Sequence, residues 1–226
     1  LSANSMSETF EGNMEGCYLY SRNSSPSNLY LEEACAAMEG TEAANVFSSG
    51  MGAITSCILQ LCKSGDHIIS SRTVYGGTYA FLKNFSPQLG IETDFVDITS
   101  LDDIKKLIKP STKIIYCEVS SNPLLEIADI ESISKIAKKN NLKLVVDNTF
   151  TPLSVSPTKN GADIVIHSLT KFINGTSDTI AGVVCSDKDF IHSLRDVNDG
   201  AFMLMGATMD SLRAASVLKN MRTLHI

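Results

Sequence analysis

Short runs rich in β-branched residues recur along this chain with helix-length runs between them, and this alternation constrains the fold more than any other feature. Residues 43–47, 67–70, 93–96, 113–119, 142–147, 163–167 and 179–185 read as strands. Residues 30–38 carry Leu31, Ala34, Cys35 and Met38 at helical spacing, and 53–62, 78–85, 101–108 and 130–139 are of helix length too. Ser100 with Asp103 resembles a capping box for the helix at 101–108. Strands joined by helix-length crossovers call for an α/β fold, a mainly parallel sheet with helices on both faces. Ligands of such sheets bind beyond the carboxyl ends of the strands, so the polar residues just past each strand are the candidates for function.

Composition narrows the class. With 226 residues, 43% of them hydrophobic, the chain can bury a core of its own. A net charge of −6 without any basic run argues against nucleic-acid or anionic-membrane partners. The longest mainly apolar stretch, 53–62, is interrupted by Thr55, Ser56 and Gln60 and falls far short of the ~20 residues that span a bilayer. Neither a transmembrane helix nor a signal peptide is read. Cys17, Cys35, Cys57, Cys62, Cys117 and Cys185 form no C-x-x-C pair and are expected to be reduced core residues of a cytoplasmic protein. The four histidines have no ligand spacing, so no metal site is expected, and His167 is expected to pack in the core.

The chemistry concentrates at two strand ends. The strand at 163–167 runs into Ser168-Leu169-Thr170-Lys171, a hydroxyl-rich turn that holds one lysine. Most lysines are solvated surface charges. Here, however, the strand at 142–147 closes on Asp147, followed by Asn148, Thr149 and Phe150. An acid at the end of a buried strand suits a protonated pyridine nitrogen, which points to pyridoxal 5'-phosphate (PLP) with Lys171 as its Schiff-base lysine. Ser48-Ser49-Gly50-Met51-Gly52 reads either as a tight turn or as an anion site at a helix start. Ser168 and Thr170 can add two hydroxyl donors. Tyr75, in Val74-Tyr75-Gly76-Gly77-Thr78, is either a turn aromatic or a ring that stacks on a planar cofactor. Asn122, before Pro123, is either a turn residue or a donor to the cofactor's phenolic oxygen. A dinucleotide-binding oxidoreductase is disfavoured because no G-x-G-x-x-G follows the first strand. A phosphate-binding module without catalysis has no need of Lys171 and Asp147 together.

Six segments in order, Y-S-R-x-x-x-P (20–26), S-S-G-M (48–51), V-Y-G-G-T (74–78), E-V-S-S-N-P (118–123), V-V-D-N-T-F (145–150) and H-S-L-T-K-F-x-N-G (167–175), resemble the Cys/Met-metabolism family of PLP enzymes of fold type I. The resemblance covers nearly the whole chain. It implies that Lys171 binds PLP, that Asp147 pairs with the pyridine nitrogen, and that Gly50, Met51, Ser168 and Thr170 bind the phosphate. It further implies that Tyr75 stacks on the ring and acts as an acid, and that Asn122 lies near the ring's 3-oxygen. Tyr20 and Arg22 are implied to reach the phosphate of a neighbouring subunit, in a homo-oligomer (a dimer of dimers) with shared active sites and a small amino-acid substrate. Ser25 and Thr176 depart from the family's usual asparagine and histidine, and Gly77 stands where many bacterial and protozoal members that cleave methionine have a cysteine. The expected reaction is γ-elimination of methionine or a related substrate to a 2-oxo acid, ammonia and a thiol. γ-Replacement or cystathionine cleavage is the alternative. The chain opens on Leu1, and the amphipathic run 212–221 has no closing glycine or proline. A fragment of a longer protein is therefore expected, with 1–40 an arm and first helix, 41–200 the PLP-binding domain and 201–226 the start of a connection to a further carboxyl-terminal domain.

Overall fold

The computed structural model of the chain describes residues 20–225, with residues 4 and 18 besides. Cys17 and most of the amino-terminal arm lie outside the described residues. Strands β1 (Ala43–Phe47), β2 (His67–Ser71), β3 (Glu92–Val96), β4 (Thr112–Glu118), β5 (Lys143–Asp147), β6 (Ile164–His167) and β7 (Gly182–Ser186) form one sheet. Its order is β1-β7-β6-β5-β4-β2-β3. β7 runs antiparallel to β1 and β6, and the remaining pairings are parallel. Every strand but β7 therefore ends on the same edge of the sheet.

Helices α1 (Pro26–Glu39), α2 (Gly50–Leu61), α3 (Gly76–Ala80), α4 (Leu101–Leu107), α5 (Ile130–Lys139), α6 (Lys188–Arg195), α7 (Ala201–Met205) and α8 (Ser211–Asn220) cover both faces. Side chains alternate across a strand, so each buried strand feeds two cores. Val146 and Val165 meet Leu31 of α1, Ile133 of α5 and Val217 of α8 on one side. Val145 and Ile166 meet Ile58 of α2, Leu194 of α6 and Phe202 of α7 on the other. This double burial explains why the central strands are nearly continuous apolar runs. Residues past 200 belong to the same packing: Ser48 N–H donates to Ala207 O at 2.9 Å, and Asn28 Nδ2 donates to Met209 O at 3.0 Å.

Several element limits differ from the sequence expectation for local reasons. α1 begins at Pro26, not at residue 30, because Ser25 Oγ accepts the Asn28 N–H and proline suits a first helical turn. The helix expected at 78–85 divides into α3, a wider turn at Phe81–Phe85 and a 3-10 turn at Ser86–Leu89. Ser100 and Asp103 do not form the expected capping box. The Ser100 hydroxyl donates to Asp103 Oδ2 at 2.8 Å instead of accepting a backbone N–H. The strand expected from 179 starts only at Gly182, since the Ala181 N–H and carbonyl are both engaged by Thr170 Oγ1, at 3.0 and 3.1 Å. α6 and α7 were not expected. The five cysteines within the described residues are buried and unpaired, and burial pushes the Cys62 thiol up to about 12. Among the described residues no helix is long and apolar enough to cross a membrane.

β7 passes close beneath the start of α2, and a Cβ on Gly182 would lie 2.3 Å from Ser49 O. The neighbour is main chain at a helix cap and cannot rotate away. Gly182→Ala should therefore destabilise the fold by about 1–3 kcal/mol, the usual cost of overpacking. A urea unfolding midpoint equal to that of the parent protein would show that α2 shifts freely.

Candidate active site

The shared strand edge opens into a cavity of about 910 Å³. At the end of β1, Ser49 caps α2, its Oγ accepting the Gly52 N–H at 2.9 Å. The N–H groups of Gly50 and Met51 have no partner within the helix and none among the other described residues, so the positive end of α2 presents donors to the cavity. A Cβ on Gly50 would fall 2.9 Å from Ser168 Cβ. Glycine is what allows this helix start to meet the lysine turn.

That turn is held from below and open above. Leu169 and Ile173 are buried in the core, while Lys171 is exposed and lines the cavity. Gly175, at φ 73, closes the turn, its N–H donating to Lys171 O at 2.8 Å. Thr176, one of the departing positions, donates to Asp178 Oδ1 at 2.7 Å and accepts from Asn220 Nδ2 at 3.0 Å, tying the turn to α8.

Asp147 ends β5 almost wholly buried. Its Oδ1 accepts the Thr149 N–H at 2.9 Å, and the Tyr116 hydroxyl lies 3.4 Å from Oδ2. Burial nevertheless raises its carboxyl above the usual range, since these bonds only partly offset the lost solvation. Among the described residues no lysine or arginine pairs with it. Glu118, next to Asp147 in the register of β4 and β5, is pushed up to about 7 by burial and then by the Asp147 charge.

The cavity brings together Gly50, Met51, Tyr75, Asn122, Asp147, Ser168, Thr170 and Lys171. It does not include Tyr20 or Arg22. Tyr20 is exposed, with the Arg22 guanidinium 5.3 Å from its ring centroid, and Arg22 Nη1 donates to Met203 O at 2.7 Å. His167 is a fully buried core residue whose Nε2 lies 2.6 Å from Glu39 Oε1. Gly77 leaves room for the Tyr75 ring, because a Cβ there would lie 2.6 Å from Tyr75 Cε1 and 3.0 Å from Met51 Sδ.

Thr149 and Glu118 went unassigned in the sequence reading. Thr149 Oγ1 accepts the Ser168 N–H at 2.7 Å while its own N–H bonds Asp147, so one residue couples the strand-end acid to the lysine turn. Both residues sit inside the quoted motifs. Their position there was the available signal.

The profile of the Cys/Met metabolism PLP-dependent enzyme family matches residues 1–226. Methionine gamma-lyase of Arabidopsis thaliana is 45% identical over 86% of the chain and 44% of its own length. L-methionine gamma-lyase of Fusobacterium nucleatum subsp. polymorphum is 42% identical over 94% of the chain and 54% of its own. The crystal structure of cystathionine gamma-lyase from Lactobacillus plantarum complexed with L-serine superposes with a TM-score of 0.87 at 33% identity, over 92% of this chain and 54% of that one. The chain belongs to the Cys/Met metabolism family of PLP-dependent enzymes, and PLP is the cofactor that this family implies. It spans about half the length of the curated relatives it matches.

The residues present fit PLP. A helix start with free N–H groups suits the phosphate, a buried acid without a cationic partner suits the ring nitrogen, and an exposed lysine stands in the same cavity. Thr149→Val should leave the Ser168 N–H without its acceptor and weaken PLP binding roughly tenfold. Titrating the apo-protein with PLP checks this, and an unchanged dissociation constant would mean that Thr149 does not support the site.

Proposed function

We propose that this protein is a PLP-dependent carbon–sulfur lyase of sulfur amino-acid metabolism. It acts by γ-elimination on methionine or a related substrate and releases a 2-oxo acid, ammonia and a thiol. The observation that carries this reading is the meeting of Lys171 and Asp147 in one cavity with the opening turn of α2. Similarity to two methionine gamma-lyases supports methionine. The likeness to the Lactobacillus plantarum cystathionine gamma-lyase favours a second reading, cleavage of cystathionine. A γ-replacement enzyme would use the same early proton transfers.

When bound, PLP supplies an electron-accepting ring that stabilises negative charge developing on the substrate carbons. The N–H groups of Gly50 and Met51 and the hydroxyls of Ser168 and Thr170 hold its phosphate. Asp147 keeps a proton on the ring nitrogen, and its burial strengthens that pairing. Asn122 would hold the cofactor's phenolic oxygen, and Tyr75 would pack on the cofactor and supply a hydroxyl proton to the departing sulfur. Lys171 Nζ holds the cofactor at rest, then takes and returns protons at the substrate Cα and Cβ.

The working form is a cytoplasmic homo-oligomer, a dimer of dimers, in which Tyr20 and Arg22 reach the phosphate of the neighbouring subunit. The exclusion of both residues from their own chain's cavity supports this.

Borohydride reduction of the PLP-loaded protein, followed by digestion and mass mapping, should place the pyridoxyl group on the peptide containing Lys171. Lys171→Ala should lose that label and all turnover, and a label on another lysine would overturn the assignment. Incubation with methionine, cystathionine, or an O-acyl-homoserine plus sulfide separates the three reactions by their products. Release of a thiol and a 2-oxo acid from methionine is expected, and exclusive formation of a new thioether would reverse the choice.

Subunit sharing has its own test. Arg22→Ala and Lys171→Ala variants of the assembled enzyme, mixed after dissociation, should form hybrid dimers that regain one intact site. Activity should rise towards about a quarter of the parent value, as charge-assisted phosphate contacts of roughly 1.5–3 kcal/mol require an intact arginine. No recovery despite demonstrated subunit exchange would mean that each chain completes its own site.

A further inference from the structure

Two loops carry the side chains that flank the cavity on the β2 and β4 side. One follows β2 and bears Tyr75, and the other follows β4 and bears Asn122. Glu118, the last residue of β4, lies between them and lines the cavity itself. Its Oε1 accepts the Tyr75 main-chain N–H at 2.6 Å. Because Glu118 is also where the Asn122 loop leaves β4, this bond ties the Tyr75 loop to the root of the Asn122 loop. A second acid joins the same loops farther out, where Glu126 accepts from Thr73 Oγ1 at 2.8 Å and from Arg72 Nη2 at 3.3 Å. The Arg72 contact of the outer connection is exposed and easily screened, whereas Glu118 is largely shielded from water.

We propose that Glu118 is a positioning residue: its carboxyl group latches the Tyr75 loop to the end of β4, where the Asn122 loop begins, and so sets the separation of the aromatic ring and the amide that flank the cofactor. The inference rests on the PLP reading for what the loops hold, but the latch itself is a property of the protein alone.

The latch is proton-linked. The groups facing Glu118 are Asp147 from β5, Tyr116 and Cys117 from its own strand, and Lys171 among the residues lining the cavity. Burial and the Asp147 charge hold its folded value near 7, against an ordinary value of 4.5. A raised acid stabilises the latched state most below 4.5 and loses that contribution as pH rises to about 7. Opening the loops exposes Glu118 to water, so opening becomes easier over this interval. Glutamine keeps an oxygen that accepts the Tyr75 N–H but cannot titrate.

Hydrogen exchange read by mass spectrometry on the peptides covering 72–79 and 119–126 of the cofactor-free protein, corrected for intrinsic rates, tests the latch. In the parent protein, protection of both peptides should fall roughly tenfold or more between pH 5 and pH 7. Glu118→Gln should hold protection flat across the same interval. Glu118→Ala should lose protection in both peptides and weaken PLP binding roughly tenfold or more, and Glu118→Gln should restore most of both. A Glu118→Gln profile that still follows the parent's pH dependence overturns the proposal, even if the alanine variant fails to fold. So does an alanine variant whose loops exchange at the parent rate. Failure to bind PLP with the exchange pattern as expected would instead count against the functional reading and leave the latch standing.

Discussion

A carboxylate taken out of water at the end of a central strand is costly unless polar groups and an opposing charge replace the lost solvation. Asp147 is in that position, and much of the site is arranged around it. Thr149 bonds it from the following turn and carries the connection on to Ser168, while the Tyr116 hydroxyl approaches it from β4. These contacts leave its carboxyl raised, so the site is still short of positive charge. That shortage recurs at Glu118, whose carboxyl is raised partly because Asp147 stands beside it. A ring cation at Asp147 would relieve both acids together, which makes the charge of a bound cofactor part of the stability of the site.

The opposite face of the sheet carries a matching fastening. Glu39, at the end of α1, uses one oxygen to accept from Asn148 Nδ2 at 3.0 Å and to meet His167 Nε2 at 2.6 Å. Asn148 follows Asp147 and His167 precedes Ser168, so a single buried carboxylate holds the side chains of the two residues next to the site. Its backbone carbonyl is bonded in turn by the hydroxyls of Ser156 and Thr158. The bond made by His167 is thus structural and lies on the far side of the sheet from the cavity.

How much of this was legible in the sequence depended on whether a feature was local. Central strands read correctly because burial on both faces makes them apolar throughout, as with Val145 and Val146 or Ile164 to Ile166. Residues 179–181 looked equally strand-like, yet Thr170 takes the Ala181 main-chain bonds, and no local pattern records that. α6 could have been read: Asp187 caps it, and Phe190, Ile191 and Leu194 follow at helical spacing. α7 could not, since a single turn has no period to detect. In the site, the motifs hold Gly50, Met51, Tyr75, Asn122, Asp147, Ser168, Thr170 and Lys171, while Ile54, Ser177 and Ile180 of the cavity wall lie outside them. What the motifs lacked was the direction of Glu118 and Thr149, which bond Tyr75 in the loop after β2 and Ser168 in the turn after β6.

The two sides of the cavity therefore differ in mechanical character. On the lysine side, Leu169 and Ile173 are sunk in the core, Gly50 allows close contact with α2, and Thr170 is tied to Ala181. Moving Lys171 would mean disturbing packed apolar groups, which close-packed interiors resist. On the other side, Tyr75 is exposed, and its loop joins the Asn122 loop through carboxyl groups at Glu118 and Glu126. Such polar connections yield at much lower cost than a core. If Lys171 carries the protons as proposed, a rigid wall holding its amine, faced by loops that can part, would let a substrate enter without displacing the groups that must stay aligned for proton transfer.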